Sequence, residues 1–187
     1  MENSSKIKLS TRIIIAVVVT VSLLILDIVT KLVVYNAFGG VEGSNVVVIK
    51  DFFWIHLTFN RGALASFLAD VEWGIYLLSL FSIVGTIASI WYLVKKIDDL
   101  HPLLRCALYL FIPGCTGNLI DRVGIYNTPG VIDFLRFRLF GFYDFPIFNV
   151  ADICLTVSIF IFFVWALFFD KEKDDELEKK LSDNEEE

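Results

Sequence analysis

The chain has 187 residues, of which 56% are hydrophobic, 15% aromatic and only 20% charged. Its mean hydropathy is +0.68. A water-soluble domain is roughly 45–50% apolar and about 25% charged, so the composition disfavours a soluble monomer and points to an integral membrane protein. The net charge of −6 resides entirely in the tail from Asp170 to Glu187, where ten acids face four lysines; the other 12 acids and 12 bases cancel. No basic stripe points to nucleic acid. The tail itself is expected to be a solvated, disordered segment (residues 170–187) appended to one membrane domain (residues 1–169).

Four apolar runs are long enough to cross a bilayer as helices. The first, Ile13 to Val34, is interrupted by Asp27 and Lys31. This charged pair follows its core where a signal peptide would carry a small-residue cleavage site, so a retained helix is expected. Between the first and second spans, Val46 to Lys50 and Phe53 to Phe59 are rich in β-branched and aromatic residues, as strands are. Gly62 to Leu68 is apolar but too short to span. The second run, Trp73 to Val94, carries no charge. The third, Leu103 to Ile120, contains Arg105 near one end and a possible break at Pro113-Gly114. Phe134 to Phe140 then alternates Arg136 and Arg138 with apolar residues, the two-residue period of a strand with one basic face. The fourth run is Val150 to Phe169, with Asp152 in its first turn. The predicted fold is therefore mainly α: four transmembrane helices with a small outer β-sheet and interfacial loop pieces. No internal repeat is visible. Cys106, Cys115 and Cys154 all lie in apolar stretches without metal-ligand spacing and read as small buried hydrophobes.

Lysine and arginine counts orient the spans. The segments on the N-terminal side hold ten and the opposite side five, which puts both termini in the cytoplasm and the two larger loops outside. In that topology Asp27 and Lys31, Asn118, Asp121 and Arg122, and Asn149 and Asp152 all lie at outer helix ends, with Asn60 and Asp133 in the outer loops. A charge buried in a membrane helix costs roughly 2.5–3.5 kcal/mol, so convergence of several at one depth suggests a site. Plainer roles are open for each. Asp27 and Lys31, four apart, suit a local ion pair. Arg122 suits an anchor to lipid phosphate. Asn149 suits a helix cap and Asp152 a dipole partner. Asp133 alone reads as a solvated loop acid.

The available chemistry is narrow. No HExxH, GxSxG or CxxC motif is present, and the two histidines, His56 and His101, fall on opposite sides. Two aspartates can share a proton and activate water without a metal; a proton-coupled transporter would use the same residues. A transporter, however, would more typically show repeats and charges at mid-depth, and a scaffold would not need Asp133.

The motifs Asp27-Ile-Val-Thr-Lys31, Asn60-Arg-Gly-Ala63, Gly117-Asn118-Leu-Ile-Asp121-Arg122, Val131-Ile-Asp133-Phe134 and Phe148-Asn149-Val-Ala151-Asp152, in this order, resemble the lipoprotein signal peptidase (signal peptidase II) family over about Ile13 to Phe169. The resemblance implies a metal-free, cofactor-free aspartic endopeptidase of the bacterial inner membrane that cuts prolipoproteins before a diacylglyceryl-modified cysteine. It implies Asp133 and Asp152 as the catalytic pair. Asn60, Asn118, Arg122 and Asn149 would line the substrate pocket, with Asp27, Lys31 and Asp121 in support. The implied partners are diacylglyceryl-prolipoproteins and membrane lipids, and the chain is expected to be a monomer. Two departures stand out: Arg61 follows the asparagine where a small or polar residue is common, and the stretch Gly124 to Gly130 is slightly long. The outer sheet and the Gly62 to Leu68 piece could close over substrate as a lid.

Overall fold

The computed structural model describes residues 9–62, 74–124, 126 and 128–169. The acidic tail, Trp73 and most of the Gly62 to Leu68 piece lie outside the described residues, as does Asn127 in the long stretch before Gly130. In chain order the elements are α1 (Leu9–Ala37), β1 (Asn45–Ile49), β2 (Phe53–Asn60), α2 (Gly74–Lys96), α3 (Pro102–Arg122), β3 (Val131–Leu139), β4 (Tyr143–Asp144) and α4 (Val150–Phe168). The helices follow the four apolar runs, each slightly displaced at its ends. β4 has no counterpart in the sequence reading, being only two residues long.

All four helices have the length and hydropathy to cross a membrane. Their apolar side chains point outward: Ile14, Val33, Phe81, Ile87 and Phe160 are each more than 60% exposed. A bundle that turns such residues out is solvated by lipid. The polar residues go inward instead, and α3 is the element they meet on, because it packs against α1, α2 and α4 and buries Pro113, Gly114, Gly117, Asn118 and Asp121. Small residues permit that closeness. A Cβ on Gly114 would come within 2.9 Å of the Ala151 carbonyl and 2.7 Å of Leu155, both on α4.

Pro113 lies inside α3 without breaking it. Proline lacks the N–H that would bond the carbonyl four residues back, which is that of Tyr109. That carbonyl accepts instead from the Thr20 hydroxyl of α1, at 3.4 Å, so the freed group is satisfied by a neighbouring helix.

The four strands form an antiparallel sheet in the order β1-β2-β3-β4. It rests on one end of the bundle: Leu57, Ile132 and Phe134 are buried there against Val34, Tyr35 and Phe38 at the end of α1 and Val150 at the start of α4. The basic face foreseen on β3 is real. Arg136 and Arg138 lie over the Trp54 ring, 5.4 and 5.6 Å from its centroid, and pair with Asp144 of β4. β3 stops one residue earlier than expected, since Phe140 and Gly141 both adopt positive φ and turn the chain into β4. At the opposite end of the bundle Arg12 pairs with Asp98 at 2.8 Å, tying α1 to the α2–α3 turn. Cys115 and Cys154 are buried, but Cys106 is exposed on α3. An apolar neighbourhood in sequence did not give it a buried face, because it lies on the side of α3 away from the buried Leu104 and Ala107.

Candidate active site

The C-terminal ends of α1 and α3, the N-terminus of α4 and the strands β2 and β3 meet at one level. Two linked groups of polar side chains lie there.

The deeper group is centred on Lys31, which is 0% exposed. Its ammonium group lies 2.7 Å from Asp27 Oδ2 and 2.9 Å from Asp121 Oδ2, and it donates to Asn118 Oδ1 at 3.2 Å. The i,i+4 pair expected from spacing is therefore half of a larger cluster. Both carboxylates also hold backbone. Asp27 Oδ1 accepts from Ala151 N–H in the first turn of α4, at 2.8 Å. Asp121 Oδ2 accepts from Ile132 N–H on β3, at 3.1 Å. One lysine thus joins the two elements that carry Asp152 and Asp133. Gly117 leaves room for this, as a Cβ there would run into Asp27 Oδ2 and come within 3.1 Å of Ala151 Cβ.

The second group holds the aspartate pair. Asp133 lies on β3, paired opposite Thr58 of β2; it is not the solvated loop acid that its local sequence suggests. Asn60, also expected in a loop, is the last residue of β2. Asp133 is 1% exposed. Its Oδ1 accepts from Asn149 Nδ2 at 2.6 Å and its Oδ2 from Asn60 Nδ2 at 3.0 Å. Asp152 occupies the first turn of α4. Its Oδ1 accepts from Asn118 Nδ2 at 2.8 Å and its Oδ2 from Asn149 N–H at 3.1 Å. Asn149 Oδ1 in turn accepts from Asp152 N–H at 2.9 Å, completing a capping box. The cap expected from spacing exists, and the same asparagine also bridges the pair: its Nδ2 reaches Asn118 Oδ1 at 3.0 Å as well as Asp133.

Every oxygen of both carboxylates thus has a fixed donor. Burial and then the charge of Asp152 push the Asp133 carboxyl up to about 8, against the opposing pull of the Asn60 and Asn149 hydrogen bonds. Buried, like-charged neighbours resist joint ionisation, so the two carboxyls titrate as a unit. Arg122, half-buried, donates to Ser82 of α2 at 3.4 Å, and its charge acts on Asp152, Asp133 and Asp121. It faces the site, which disfavours the lipid-anchor reading. His56 lies on β2, where burial and the Arg136 charge hold its imidazole below the ordinary value.

Comparison with known proteins agrees with this arrangement. The family model described as "Signal peptidase (SPase) II" matches residues 19–169. The chain belongs to the signal peptidase II family. Among its relatives, a lipoprotein signal peptidase of Symbiobacterium thermophilum is 33% identical over 156 residues, covering 83% of this chain and 96% of the relative. One from Clostridium tetani is 33% identical, covering 84% and 96%, and one from Pseudomonas putida is 34% identical, covering 81% and 85%. A bacterial membrane enzyme solved by the in meso method at 1.9 Å resolution superposes with a TM-score of 0.68 at 30% identity, covering 88% of this chain and 97% of that one. The four-helix membrane fold with its small sheet is therefore shared, and the chain is a multi-pass bacterial membrane peptidase.

Of the residues singled out in the sequence, Asp27, Lys31, Asn60, Asn118, Asp121, Asp133, Asn149 and Asp152 form one connected hydrogen-bond and ion-pair network, with Arg122 beside it. Sequence reasoning assigned no role to Gly117 or Ser82. The Gly114-Cys-Thr-Gly117 spacing, small residues on one side of a membrane helix, was a readable signal for the first. Ser82 carried none, since serines are common in such helices.

Proposed function

We propose that Asp133 and Asp152 hydrolyse the peptide bond that joins a signal peptide to its lipid-modified cysteine. As a signal peptidase II family member, the chain removes signal peptides from prolipoproteins and is an aspartic endopeptidase; the assignment of residues to steps is our reading. The observation that carries it is the frame of asparagine donors holding two carboxylates, one of them buried so that its carboxyl is pushed well above the ordinary aspartate range.

In this reading Asp152 is ionised, with two N–H donors on its oxygens and the N-terminus of α4 beneath it, where negative charge is favoured. It takes a proton from a water lying between the pair. Asp133 donates its proton to the scissile carbonyl oxygen as the water oxygen bonds to the carbonyl carbon. The tetrahedral intermediate collapses when the proton on Asp152 passes to the leaving nitrogen of the cysteine. The proton on the former carbonyl oxygen returns to Asp133. Arg122 and Asn60 line the approach to the pair and orient the substrate backbone. The site faces the outer leaflet with both termini in the cytoplasm, in keeping with the excess of lysine and arginine on the terminal side. There it meets a lipidated cysteine whose acyl chains remain in lipid. The pair is completed within one copy, so catalysis needs no second chain.

The test is cleavage of a diacylglyceryl-modified lipobox peptide by purified protein in detergent with EDTA throughout. Wild type is expected to cleave, and Asp133→Asn and Asp152→Asn to lose several orders of magnitude while remaining folded. Full activity in both variants would overturn the assignment.

A further inference from the structure

At the end of the bundle away from the aspartate pair, an apolar groove of about 410 Å³ opens between α2, α3 and α4. Ser89 and Tyr92 of α2, Leu104 and Leu108 of α3, and Ser158 and Trp165 of α4 line it. From Leu104 to Phe111 it runs seven residues along α3, on the order of 10 Å, which fits within one leaflet of about 15 Å. Its length and apolar lining suit an extended hydrocarbon chain.

Its mouth is charged. On α2, Ser89, Tyr92 and Lys96 stand at i, i+3 and i+7, so the stripe that lines the groove ends on an exposed cation, with exposed Lys95 beside it. Asp98 is engaged by Arg12, so Asp99 alone among nearby acids on the α2–α3 turn offsets the two lysines. Tyr92 and Trp165 put amphipathic rings in the groove wall near that rim, as residues at a membrane interface do.

We infer that this groove holds one acyl chain of an anionic phospholipid, from the leaflet away from the active site, with its phosphate on Lys95 and Lys96. The inference needs the bilayer placement of the helices and is independent of the catalytic assignment. Excess positive charge at this end would arise from membrane orientation alone, but that would not create a chain-sized groove leading to the same cations.

The experiment measures lipid binding to the delipidated full chain in detergent by native mass spectrometry. The probes are phosphatidylglycerol and phosphatidylcholine with the same acyl chains. Wild type should retain phosphatidylglycerol the more tightly, with about fivefold of affinity lost for each rim cation removed. Lys96→Glu should erase much of the preference and keep chain binding. Ile159→Trp, which fills the groove from its lipid-exposed side, should weaken both lipids. Circular dichroism and peptidase turnover verify that each variant is folded. Equal affinity of wild type for the two lipids, or unchanged binding in Ile159→Trp, would overturn the proposal. A failure of catalysis with lipid binding intact would count against the catalytic assignment only.

Discussion

Replacing Lys31 by methionine should be among the most damaging single changes outside the aspartate pair. The side chains are similar in length, so packing is largely kept and the change isolates the charge. In wild type the ammonium has three N–H donors and three acceptors, on Asp27, Asp121 and Asn118. Without it, two carboxylates that are each 1% exposed face each other across a dry interior. Breaking a buried pair by removing one partner costs about 3–5 kcal/mol, a large part of a total stability of roughly 5–15 kcal/mol. For a chain of this size each kcal/mol shifts Tm by about 2–4 °C, which predicts a fall on the order of 10 °C. Activity should fall further than stability, because Asp27 and Asp121 also hold Ala151 and Ile132, the neighbours of Asp152 and Asp133. The assay is thermal unfolding in detergent with a thiol-reactive fluorogenic dye. Cys115 and Cys154 are buried and react on unfolding, and exposed Cys106 sets the baseline. Adding Asp27→Asn to Lys31→Met removes one uncompensated charge and should recover part of the Tm. A Lys31→Met protein that melts within a degree of wild type and cleaves at full rate would refute the clamp reasoning.

Asn149→Ser should separate capping from catalysis. Serine still caps α4 but cannot reach Asp133 and Asn118, so stability should fall by about 1–3 kcal/mol for the buried groups left without this donor, and kcat should fall at least about tenfold in a peptide-cleavage assay. Gly117→Ala should push α3 away from Asp27 and Ala151 at a cost of about 1–3 kcal/mol, read as lower Tm and lower turnover together. The proton on Asp133 sets the pH response. An acid must be protonated to act, so kcat/KM should decline as pH rises through about 8. The same raised value means that the folded chain holds a proton the unfolded chain has lost between the ordinary aspartate value and about 8. This contribution to stability is full below the ordinary value and lost as pH rises to about 8, with a slope of up to about 1.4 kcal/mol per pH unit. Asp133→Asn should flatten that part of the melting-versus-pH curve.

The helices were legible because each satisfies its own backbone and reveals itself as one apolar run. The polar positions on them were legible for the complementary reason that lipid leaves charged groups few places to go. Asp27, Lys31, Asn118 and Asp121 could be placed at one depth by counting residues from the helix ends. Which of them touch was not legible. The Lys31–Asp121 contact joins residues 90 positions apart and depends on the approach of α1 to α3, and so on Gly117, whose missing side chain leaves no mark on hydropathy. The split of roles at Asn149 was hidden as well. A cap and a bridge to Asp133 need the same residue type, and spacing speaks only for the cap.

Asp133 was the hardest residue to read from its surroundings, and the reason bears on how the site works. Further along β3 the chain alternates basic and apolar residues, Arg136 and Arg138 lying over Trp54 and Phe137 stacking with Phe53 and Phe148. From Val131 to Phe134 all four residues are buried, so period two vanishes where the aspartate stands. Both faces are covered there because the sheet has run in over the ends of α1 and α4. Burial raises the Asp133 carboxyl, and in the proposed mechanism that lets it keep a proton to donate while Asp152, only half-buried and set on a helix N-terminus, carries the negative charge. On that reading the local feature that concealed Asp133 in the sequence also divides the work between two chemically identical side chains. A change that opened the β3 face, such as Ile132→Ser at the 0% exposed position beneath the sheet, should admit water and lower the pH at which activity declines. If the pH profile stayed put while the site was wetter, the division of roles between the two aspartates would need another cause.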